Sequence, residues 1–281
     1  MDLIIPVFNR LEYTQVCLES LLSVDHGVLK LRPIIVDNGS RQRTRQYLEQ
    51  WVQRSKSSRL DQALLITMPT NVGYAAAVNE AIKASPEGEY VFLMHNDCVP
   101  FDGWADELIW CLNEHAKDDA IAAVPRTSYA SEPGICVLEL RKAFEAVKPS
   151  NKDAIRVEDI RLMLERLYSD KEKILRELRV ESRATYMPEI SSFCMAVQKP
   201  LLVRRPFDEE FWPRFFEDKY WFLEYERQGC VCMASNWSYV HHFGNITTDG
   251  PGFCMIDLFI ANQEKFKNKV KIMNEKPSHG K

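Results

Sequence analysis

Short continuous apolar runs alternate along the chain with segments of helical periodicity. Five runs in the first half have the length and composition of buried strands and lie at residues 2–7, 32–36, 63–68, 89–94 and 120–124. The helical segments between them lie at residues 10–22, 41–54, 74–84 and 104–115. Continuous apolar strands that alternate with helices are typical of a mostly parallel sheet with helices on both faces. The pattern therefore predicts an α/β fold.

Polar side chains follow the first four apolar runs. They are Asn9 and Arg10, then Asp37, then Asn71, and finally His95 and Asp97. Ligands of open α/β sheets bind at the carboxyl ends of the strands, so these side chains predict a binding site along one edge. The clearest case is the apolar run YVFLM, which leads directly into His95, Asn96 and Asp97.

The second half of the chain changes character at about residue 137. Residues 137–183 are rich in balanced charge and carry leucines and isoleucines at amphipathic spacing, which predicts a helical insertion. The elements expected after it are a strand at residues 191–197, a helix from about Phe215 to Gly229, short strands at residues 231–233 and 237–240, and a terminal helix with a loose end.

These segments divide the chain into four parts. We expect residues 1–126 and 189–262 to form two halves of one domain, residues 127–188 to form the insertion, and residues 263–281 to form a basic tail. The insertion is expected to close over an acceptor site or to mediate a homodimer. The tail is either solvated or in peripheral contact with an anionic membrane surface.

Composition excludes several classes of protein. The 281 residues carry a net charge of −4, whereas a nucleic-acid binder would usually have a basic face and a high pI. No apolar run approaches the roughly 20 residues that span a bilayer, and the start MDLII lacks the basic region of a signal peptide. We therefore expect a cytoplasmic protein, in part at the inner face of the membrane.

The eight cysteines are scattered along the chain. Only Cys230 and Cys232 are close together, and a C-x-C spacing without a second ligand pair is not typical of structural zinc. We expect most of the cysteines to be buried, reduced thiols.

Six sequence blocks occur in a characteristic order. They are IIPVFNRLEYTQVCLESLL, IIVDNGS, TNVGYAAAVNEAI, VFLMHNDCVP, SSFCMAVQK and FDEEFWPRFFEDKYWFLEYERQG. Their order resembles the family 2 glycosyltransferases with the GT-A fold, and within them the rhamnosyltransferase-like bacterial enzymes. The resemblance covers residues 1–126 and 189–245. It implies transfer of a sugar from a UDP-, GDP- or dTDP-sugar to a glycan, polysaccharide or lipid-linked acceptor, with Mn²⁺ or Mg²⁺ as the cofactor.

The resemblance also implies a set of residues that bind the nucleotide sugar. Those that match the family's motifs are Pro6, Phe8 and Arg10 at the base pocket, Asp37 at the base or ribose, Asn71 and Gly73 in the loop that approaches the nucleotide, Asn79 on the helix behind it, and Asn96 and Asp97 at the diphosphate.

The metal motif departs from the family pattern. His95 stands where the family has the first Asp of D-x-D, and Asp97 is the retained second acid. Residues i and i+2 of an extended segment point the same way, so these two side chains could share one ion. His241 and His242 would point to opposite faces of a strand, and we expect His242 to join the site. Nitrogen ligands favour Mn²⁺ over Mg²⁺. The alternative is that His95 forms local hydrogen bonds and Asp97 caps a helix.

Glu217 and Asp218 match the family's E-D pair, which implies that Asp218 is the catalytic base of an inverting reaction. Without the resemblance, two acids at the start of a helix would be explained by the helix dipole. Tyr220 stands where the family often has a further Asp, which leaves the acceptor side undefined. Trp212 and Trp221 are candidates to stack on the acceptor sugar, with core packing as the alternative.

Two other interpretations compete with a glycosyltransferase. A different nucleotide-binding enzyme would usually carry G-x-G-x-x-G or G-x-x-x-x-G-K-[ST], and neither motif occurs. A catalytically degenerate GT-A protein could instead act as a nucleotide-sugar-binding scaffold or partner subunit. His95 in place of an acid favours that interpretation, whereas the retained Asp97, Glu217 and Asp218 favour an enzyme.

Overall fold

The computed structural model describes residues 1–56, 60–85, 88–129, 135–148, 155–179, 182–244 and 255–275. Its strands are β1 Asp2–Val7, β2 Arg32–Asn38, β3 Leu64–Met68, β4 Tyr90–Met94, β5 Cys98–Pro100, β6 Ala120–Arg126, β7 Ala184–Met187, β8 Cys194–Gln198 and β9 Val231–His242. Its α-helices are α1 Leu11–Ser23, α2 Gln42–Arg54, α3 Tyr74–Ala84, α4 Trp104–Glu114, α5 Leu138–Val147, α6 Val157–Leu167, α7 Lys171–Leu178, α8 Lys199–Arg204, α9 Glu217–Glu226 and α10 Met255–Glu275.

One mixed sheet runs through the described residues. Its strand order is β3-β2-β1-β4-β8-β6-β9-β5, and β7 pairs with β9. The first four strands are parallel, as the alternation of strands and helices predicts. β8 is antiparallel to both β4 and β6, so the second half of the sheet is mixed. The predicted α/β fold with flanking helices is confirmed.

The parallel strands form the centre of the core. Ile4 of β1 lies between Ile34 of β2 and Leu93 of β4, and all three side chains are fully buried. Strands covered by helices on both faces need apolar residues at every position, which explains the continuous apolar runs. The parallel order also brings the loops after β1, β2, β3 and β4 to one edge.

β9 is a single strand of 12 residues where the hydrophobic pattern predicts two short ones. The pattern is interrupted by Ser235 and Asn236, which are nevertheless buried. Asn236 accepts a hydrogen bond from the guanidinium of Arg126 at 3.1 Å, and its backbone N–H donates to the carbonyl of Arg183 at 2.9 Å. Because the polar groups of Asn236 find partners, the strand continues through this residue.

The predicted helices of the insertion are present as α5, α6 and α7. Their apolar faces form two small clusters with α1 and β9, in which Phe144 and Tyr168 are the largest buried side chains of the insertion. The range predicted for the insertion also contains β7, which pairs with β9 and therefore belongs to the sheet. Its expected role in dimerisation or acceptor closure stays a prediction.

The predicted boundary at residue 263 lies inside α10, which begins at Met255. Asn262 anchors this helix by donating to the carbonyls of Phe211 and Arg214 at 3.0 and 2.7 Å. Residues 276–281 lie outside the described residues. No helix of the described ranges has the length and apolar character that a bilayer crossing needs. The cysteines of these ranges are free thiols and mostly buried, and Cys254 lies outside them.

Candidate active site

Three side chains with metal-ligating atoms converge where β4 and β9 end. The ligand atoms of His95, Asp97 and His242 all lie within 4.8 Å of one another. His95 and Asp97 occupy the short connection between β4 and β5, and β5 pairs with the end of β9 so that Cys98 lies opposite His242. The structure thus brings together the three residues that the sequence nominates as metal ligands.

The imidazole of His242 is held in one orientation. Its Nδ1 lies 3.0 Å from the carbonyl oxygen of Tyr129, to which an Nδ1–H group donates. Its ring stacks on Phe193 with centroids 4.9 Å apart and an interplanar angle of 14°. This arrangement leaves Nε2 as the acceptor atom, 3.5 Å from Oδ1 of Asp97. A hydrogen bond that fixes the tautomer of a ligating histidine is typical of metal sites.

His95 is neutral at neutral pH. Burial lowers the pKa of its imidazole to about 3, and the neighbouring His242 acts in the same direction. Its ring is held edge-on by Tyr74 and His242, at centroid distances of 5.2 and 5.4 Å. A neutral imidazole keeps the lone pair that a metal ligand requires.

Asp97 is buried but ionised. Burial by itself would raise the pKa of its carboxyl, but the imidazoles of His242 and His95, which are protonated at the low pH where this carboxyl titrates, and the guanidinium of Arg214 outweigh that effect, and the pKa lies below its usual value. The cluster therefore offers one carboxylate and two imidazoles. Such a mixed oxygen and nitrogen set fits a divalent transition ion such as Mn²⁺.

His241 faces away from this cluster. Its Nδ1 lies 2.6 Å from the hydroxyl of Tyr168 and 2.7 Å from that of Ser128. Burial lowers the pKa of its imidazole to about 3. The two adjacent histidines thus serve opposite faces of β9, with His241 in the core beneath the insertion.

The predicted acid pair opens α9 beside the cluster. Asp218 accepts a hydrogen bond from the backbone N–H of Ser192 at 2.8 Å, which orients its carboxylate. Glu217 is only 5% exposed, and its Oε2 has no hydrogen-bond partner among the described residues. Burial, together with the charge of Asp218, raises the pKa of Glu217 to about 8. Glu217 is therefore mostly protonated at neutral pH.

Arg214 is a charged residue at the site that the sequence analysis missed. Its guanidinium interacts electrostatically with Glu217, Asp97 and Asp218, while burial lowers its pKa. Asp97 is more than one hundred residues away along the chain, so no local spacing connects it with Arg214. Only the fold places the two side chains together.

The loops after β2 and β3 are joined by hydrogen bonds between side chains and backbone. Asn38 donates to Oδ1 of Asn71 and to the carbonyl of Gly73, both at 3.1 Å, and accepts from Val72 N–H at 2.9 Å. Asn71 also accepts from Gly73 N–H at 2.9 Å. Asn38 is a second residue that the sequence analysis missed, because a residue in a turn-forming sequence does not reveal which distant loop it binds.

Gly73 is required where it stands. Its φ of +91° lies in a region that side chains rarely adopt, and a Cβ there would lie 2.8 Å from Cδ1 of Trp212. The next residue, Tyr74, donates its backbone N–H to the carbonyl of Pro213 at 2.8 Å. The predicted nucleotide loop therefore contacts the segment that leads to the acid pair.

Asp37 is fully covered in this structure. It accepts hydrogen bonds from Ser40 N–H at 2.8 Å and from Nε of Arg45 at 2.7 Å. Among the other predicted nucleotide-binding residues, Pro6 is buried within β1, whereas Phe8 and Arg10 are half-buried in the loop that follows. Asp37 could reach a base or ribose only if Arg45 moved.

Three predicted site residues make contacts within the protein. Asn79 uses its whole amide to bind the backbone of Phe207 and the carboxylate of Glu209. Asn96 is buried and donates to the hydroxyl of Thr14 at 2.8 Å. Trp221 is 1% exposed and packs in the core, whereas Trp212 is 42% exposed. The ligand-binding roles of Asn79, Asn96 and Trp221 stay predictions, and in this structure each of the three side chains is engaged within the protein.

Known proteins resemble the chain in both sequence and structure. A model described as "Glycosyl transferase family 2" matches residues 2–166, which is more than half of the chain. Glycosyltransferase AglE of Haloferax volcanii is 29% identical over 106 residues, covering 38% of this chain and 33% of AglE.

Several solved structures share the fold. S. aureus TarS in complex with UDP matches with a TM-score of 0.53 and 16% identity, over 85% of this chain and 60% of TarS. GalNAc-T7 with UDP, GalNAc and Mn²⁺ matches with a TM-score of 0.59 and 11% identity, over 95% of this chain and 48% of GalNAc-T7. The mannosyltransferase PcManGT of Pyrobaculum calidifontis, in complex with GDP-Man and Mn²⁺, matches with a TM-score of 0.54 and 17% identity, over 90% of this chain and 58% of PcManGT.

The chain spans only a third of the length of AglE and between about half and three fifths of these solved chains. Because their sequence identities are low, these structural matches show a shared fold and no more. The match to the family model over residues 2–166 shows the family. This chain belongs to glycosyl transferase family 2 and has the GT-A fold.

Proposed function

We propose that this protein transfers a sugar from a nucleotide-sugar donor to an acceptor hydroxyl, with inversion at the anomeric carbon and with the help of a divalent cation. The observation that carries the proposal is the convergence of His95, Asp97 and His242 within 4.8 Å, beside the acid pair Glu217 and Asp218. Family membership and the glycosyltransferase neighbours support it.

The donor binds along the carboxyl edge of the parallel strands. The half-buried Phe8 and Arg10 and the loop of Asn71 and Gly73 lie at the nucleoside end, and the metal-ligand cluster lies at the diphosphate end. TarS binds UDP or UDP-GlcNAc and PcManGT binds GDP-Man, which supports a nucleoside-diphosphate sugar here. Within that class, we propose a UDP-, GDP- or dTDP-sugar as the donor and a hexose or deoxyhexose as the transferred sugar.

His95, Asp97 and His242 would hold the cation. The neutral state of His95, the ionised state of Asp97 and the fixed tautomer of His242 all suit this role. When bound, the ion would supply positive charge against the diphosphate leaving group. Mn²⁺ in GalNAc-T7 and PcManGT supports the same ion in this protein.

Asp218 is the base in this proposal. Backbone hydrogen bonds hold both carboxylate oxygens, from Ser192 N–H to Oδ2 and from Lys219 N–H to Oδ1, each at 2.8 Å. A remaining lone pair of this fixed carboxylate accepts the proton of the acceptor hydroxyl as that hydroxyl attacks the sugar. Attack from the face opposite the leaving group inverts the anomeric carbon. Glu217 stays mostly protonated at neutral pH, which keeps a second negative charge away from Asp218.

The acceptor is expected to be a glycan or a lipid-linked sugar. Trp212 is exposed beside Gly73 and offers an aromatic surface to a sugar ring. A lipid-linked acceptor would place α10 near the inner face of a membrane, since its Ile256 and Ile260 are exposed. Co-sedimentation with anionic liposomes tests this, and equal sedimentation of wild type and an Ile256→Ser/Ile260→Ser variant would contradict it.

The function is tested by turnover. Wild-type protein is incubated with UDP-, GDP- and dTDP-sugars and Mn²⁺, and release of the nucleoside diphosphate is measured with and without candidate acceptors. We expect release from one donor class, and its loss in Asp218→Asn. Binding of a nucleoside diphosphate without turnover of any donor would favour the degenerate-scaffold interpretation instead.

A further inference from the structure

Arg214 lies on a segment whose backbone is fixed from two sides. The carbonyl of the preceding Pro213 accepts a hydrogen bond from Tyr74 N–H at 2.8 Å. The carbonyl of Arg214 itself accepts from the side chain of Asn262, in α10, at 2.7 Å. Its guanidinium carbon lies 4.6 Å from the centre of the Phe215 ring. The position of Arg214 is therefore set by both α3 and α10.

The two residues after Arg214 are held in an unfavourable conformation. Phe215 and Phe216 have φ of 81° and 74°, a region that bulky residues rarely adopt. Their rings pack against Phe259, and Phe216 also packs against Phe266, both in α10. Backbone strain of this kind persists where surrounding contacts impose it, often at functional sites. The turn brings Arg214 and the start of α9 to the same site.

The charges around Arg214 make it sensitive to what occupies the site. Tyr74, which binds the carbonyl of Pro213 through its N–H, also contacts the ring of His95 at a centroid distance of 5.2 Å, so the Arg214 segment packs against the metal-ligand cluster. The guanidinium interacts electrostatically with Asp97 in that cluster and with Asp218 in the acid pair. A divalent cation beside Asp97 would therefore meet a fixed positive charge nearby. In a partly buried site such repulsion is stronger than in water. A diphosphate removes the repulsion, because it is attracted to both positive charges.

We propose that Arg214 couples the metal ion to the diphosphate: it weakens binding of the bare cation and binds the phosphate oxygens once the nucleotide is present. This inference rests on the proposed function, since it takes the diphosphate of a nucleotide sugar as the ligand. A guanidinium suits the second role because its planar donors match phosphate oxygens in pairs. The cation and the nucleoside diphosphate then bind cooperatively, each strengthening the other.

The decisive experiment is calorimetric titration of wild type and Arg214→Gln. Mn²⁺ alone is titrated first, and the nucleoside diphosphate is then titrated in saturating Mn²⁺, using whichever of UDP, GDP or dTDP the wild type binds. Arg214→Gln should bind Mn²⁺ alone several-fold more tightly and should bind the nucleotide with Mn²⁺ about 10-fold more weakly. Coupling predicts these opposite changes, tighter binding of Mn²⁺ and weaker binding of the nucleotide. A damaged fold would weaken the binding of both ligands.

Two further variants sharpen the result. Arg214→Lys keeps the charge but loses the paired donors, so it should bind Mn²⁺ alone as the wild type does and recover only part of the nucleotide affinity. Arg205→Gln is the matched control, because Arg205 pairs with Glu224 at 2.8 Å and is half-exposed. Both of its affinities should equal those of the wild type.

The possible results separate this inference from the proposed function. If wild type binds Mn²⁺ and nucleotide but Arg214→Gln changes neither affinity, or lowers both, the coupling role is overturned and the proposed function stands. If the wild type binds neither Mn²⁺ nor any nucleoside diphosphate, the proposed function is overturned, and this inference with it.

Discussion

Two regions at the same edge of the sheet are built on different principles. The first region, the donor loops, consists of Asn9, residues 37–41 and residues 71–73. Its polar groups bind one another: Asn38 donates a hydrogen bond to Asn71, and Asn9 accepts one from Arg41 N–H. The second region, the charged pocket, consists of His95, Asp97, His242, Arg214 and the acid pair. Its charged groups interact with one another, and Oε2 of the buried Glu217 has no hydrogen-bond partner among the described residues. The first region is complete without a ligand, and the second is not.

This difference assigns separate tasks to the two regions. A satisfied hydrogen-bond network rigidifies loops, so the donor loops give the nucleoside a preformed surface. Buried charges that lack full compensation cost folding free energy and are retained where chemistry uses them. Mutations in the donor loops should therefore lower stability, whereas mutations in the charged pocket should change chemistry and, where they remove an uncompensated buried charge, raise stability.

The largest effect is expected in the charged pocket. Asp218→Asn removes the proposed base and should lower kcat by about 10²–10⁴-fold, the range typical of general base catalysis. Nucleotide affinity, measured by calorimetry, should stay unchanged, because Asp218 accepts the acceptor's proton and does not hold the donor. Turnover equal to that of the wild type would show that another group is the base.

The pH dependence of stability should reveal the raised pKa of Glu217. Its pKa rises from 4.5 to about 8 on folding, so between these values the folded state binds a proton that the unfolded chain releases. Wild-type stability should therefore fall as the pH rises from 4.5 to 8 and level off above 8. Glu217→Gln does not lose stability in this way, and its stability relative to the wild type should rise by about 5 kcal/mol between low pH and pH 9, at about 1.4 kcal/mol per pKa unit.

Chemical denaturation in EDTA across pH 5 to 9 measures this difference. Glu264→Gln is the control, because Glu264 is exposed and pairs with Lys267 at 2.9 Å on the surface of α10. Its stability should follow that of the wild type at every pH. Parallel curves for Glu217→Gln and wild type would contradict a buried, protonated Glu217.

A smaller effect is expected in the donor loops. Asn38→Ala removes two donated bonds and one accepted bond, and leaves Val72 N–H and Gly73 C=O unpaired. The loss of stability should be about 1–3 kcal/mol, measured by urea denaturation. Asn274→Ala, which removes an exposed bond to Arg227, should cost less than about 0.5 kcal/mol. Equal costs for the two variants would mean that the network contributes nothing.

The smallest effect is expected at the acceptor side. Trp212→Ala should cost less stability than the loss of a buried tryptophan, because the side chain is 42% exposed, and should raise the KM for the acceptor by less than about 10-fold. The KM for the donor should not change. Tyr186→Ala, an exposed aromatic residue on β7, serves as the control. An unchanged acceptor KM in Trp212→Ala would remove this residue from the acceptor site.

The predictable part of this protein is the part encoded locally. Apolar runs determine the parallel strands, and parallel order brings His95 and Asp97 to the same edge as Asp37 and Asn71. Alternation along a strand predicts that only one of His241 and His242 reaches the site. The pairing of β5 with β9 determines which one, and no local pattern encodes that pairing.

Long-range packing determines the residues that the sequence patterns missed and the predicted residues that the fold engages elsewhere. Trp212 and Trp221 are equally plausible in the sequence, but α9 buries one of them and the preceding loop exposes the other. Asn79 lies on a helix near the site, yet its amide binds Phe207. Arg214 reaches the metal-ligand cluster through a strained turn that only the packing of α10 explains.

The most direct test of the central claim is the melting temperature of wild type and Asp97→Asn with UDP, GDP, dTDP and CMP, each in Mn²⁺, Mg²⁺ or EDTA. Ligands that bind the native state raise the melting temperature by mass action. We predict that one nucleoside diphosphate stabilises the wild type, more strongly in Mn²⁺ than in EDTA, and that Asp97→Asn abolishes the difference. A nucleotide shift that is equal in EDTA, or that keeps its Mn²⁺ dependence in Asp97→Asn, would contradict a metal site at His95, Asp97 and His242.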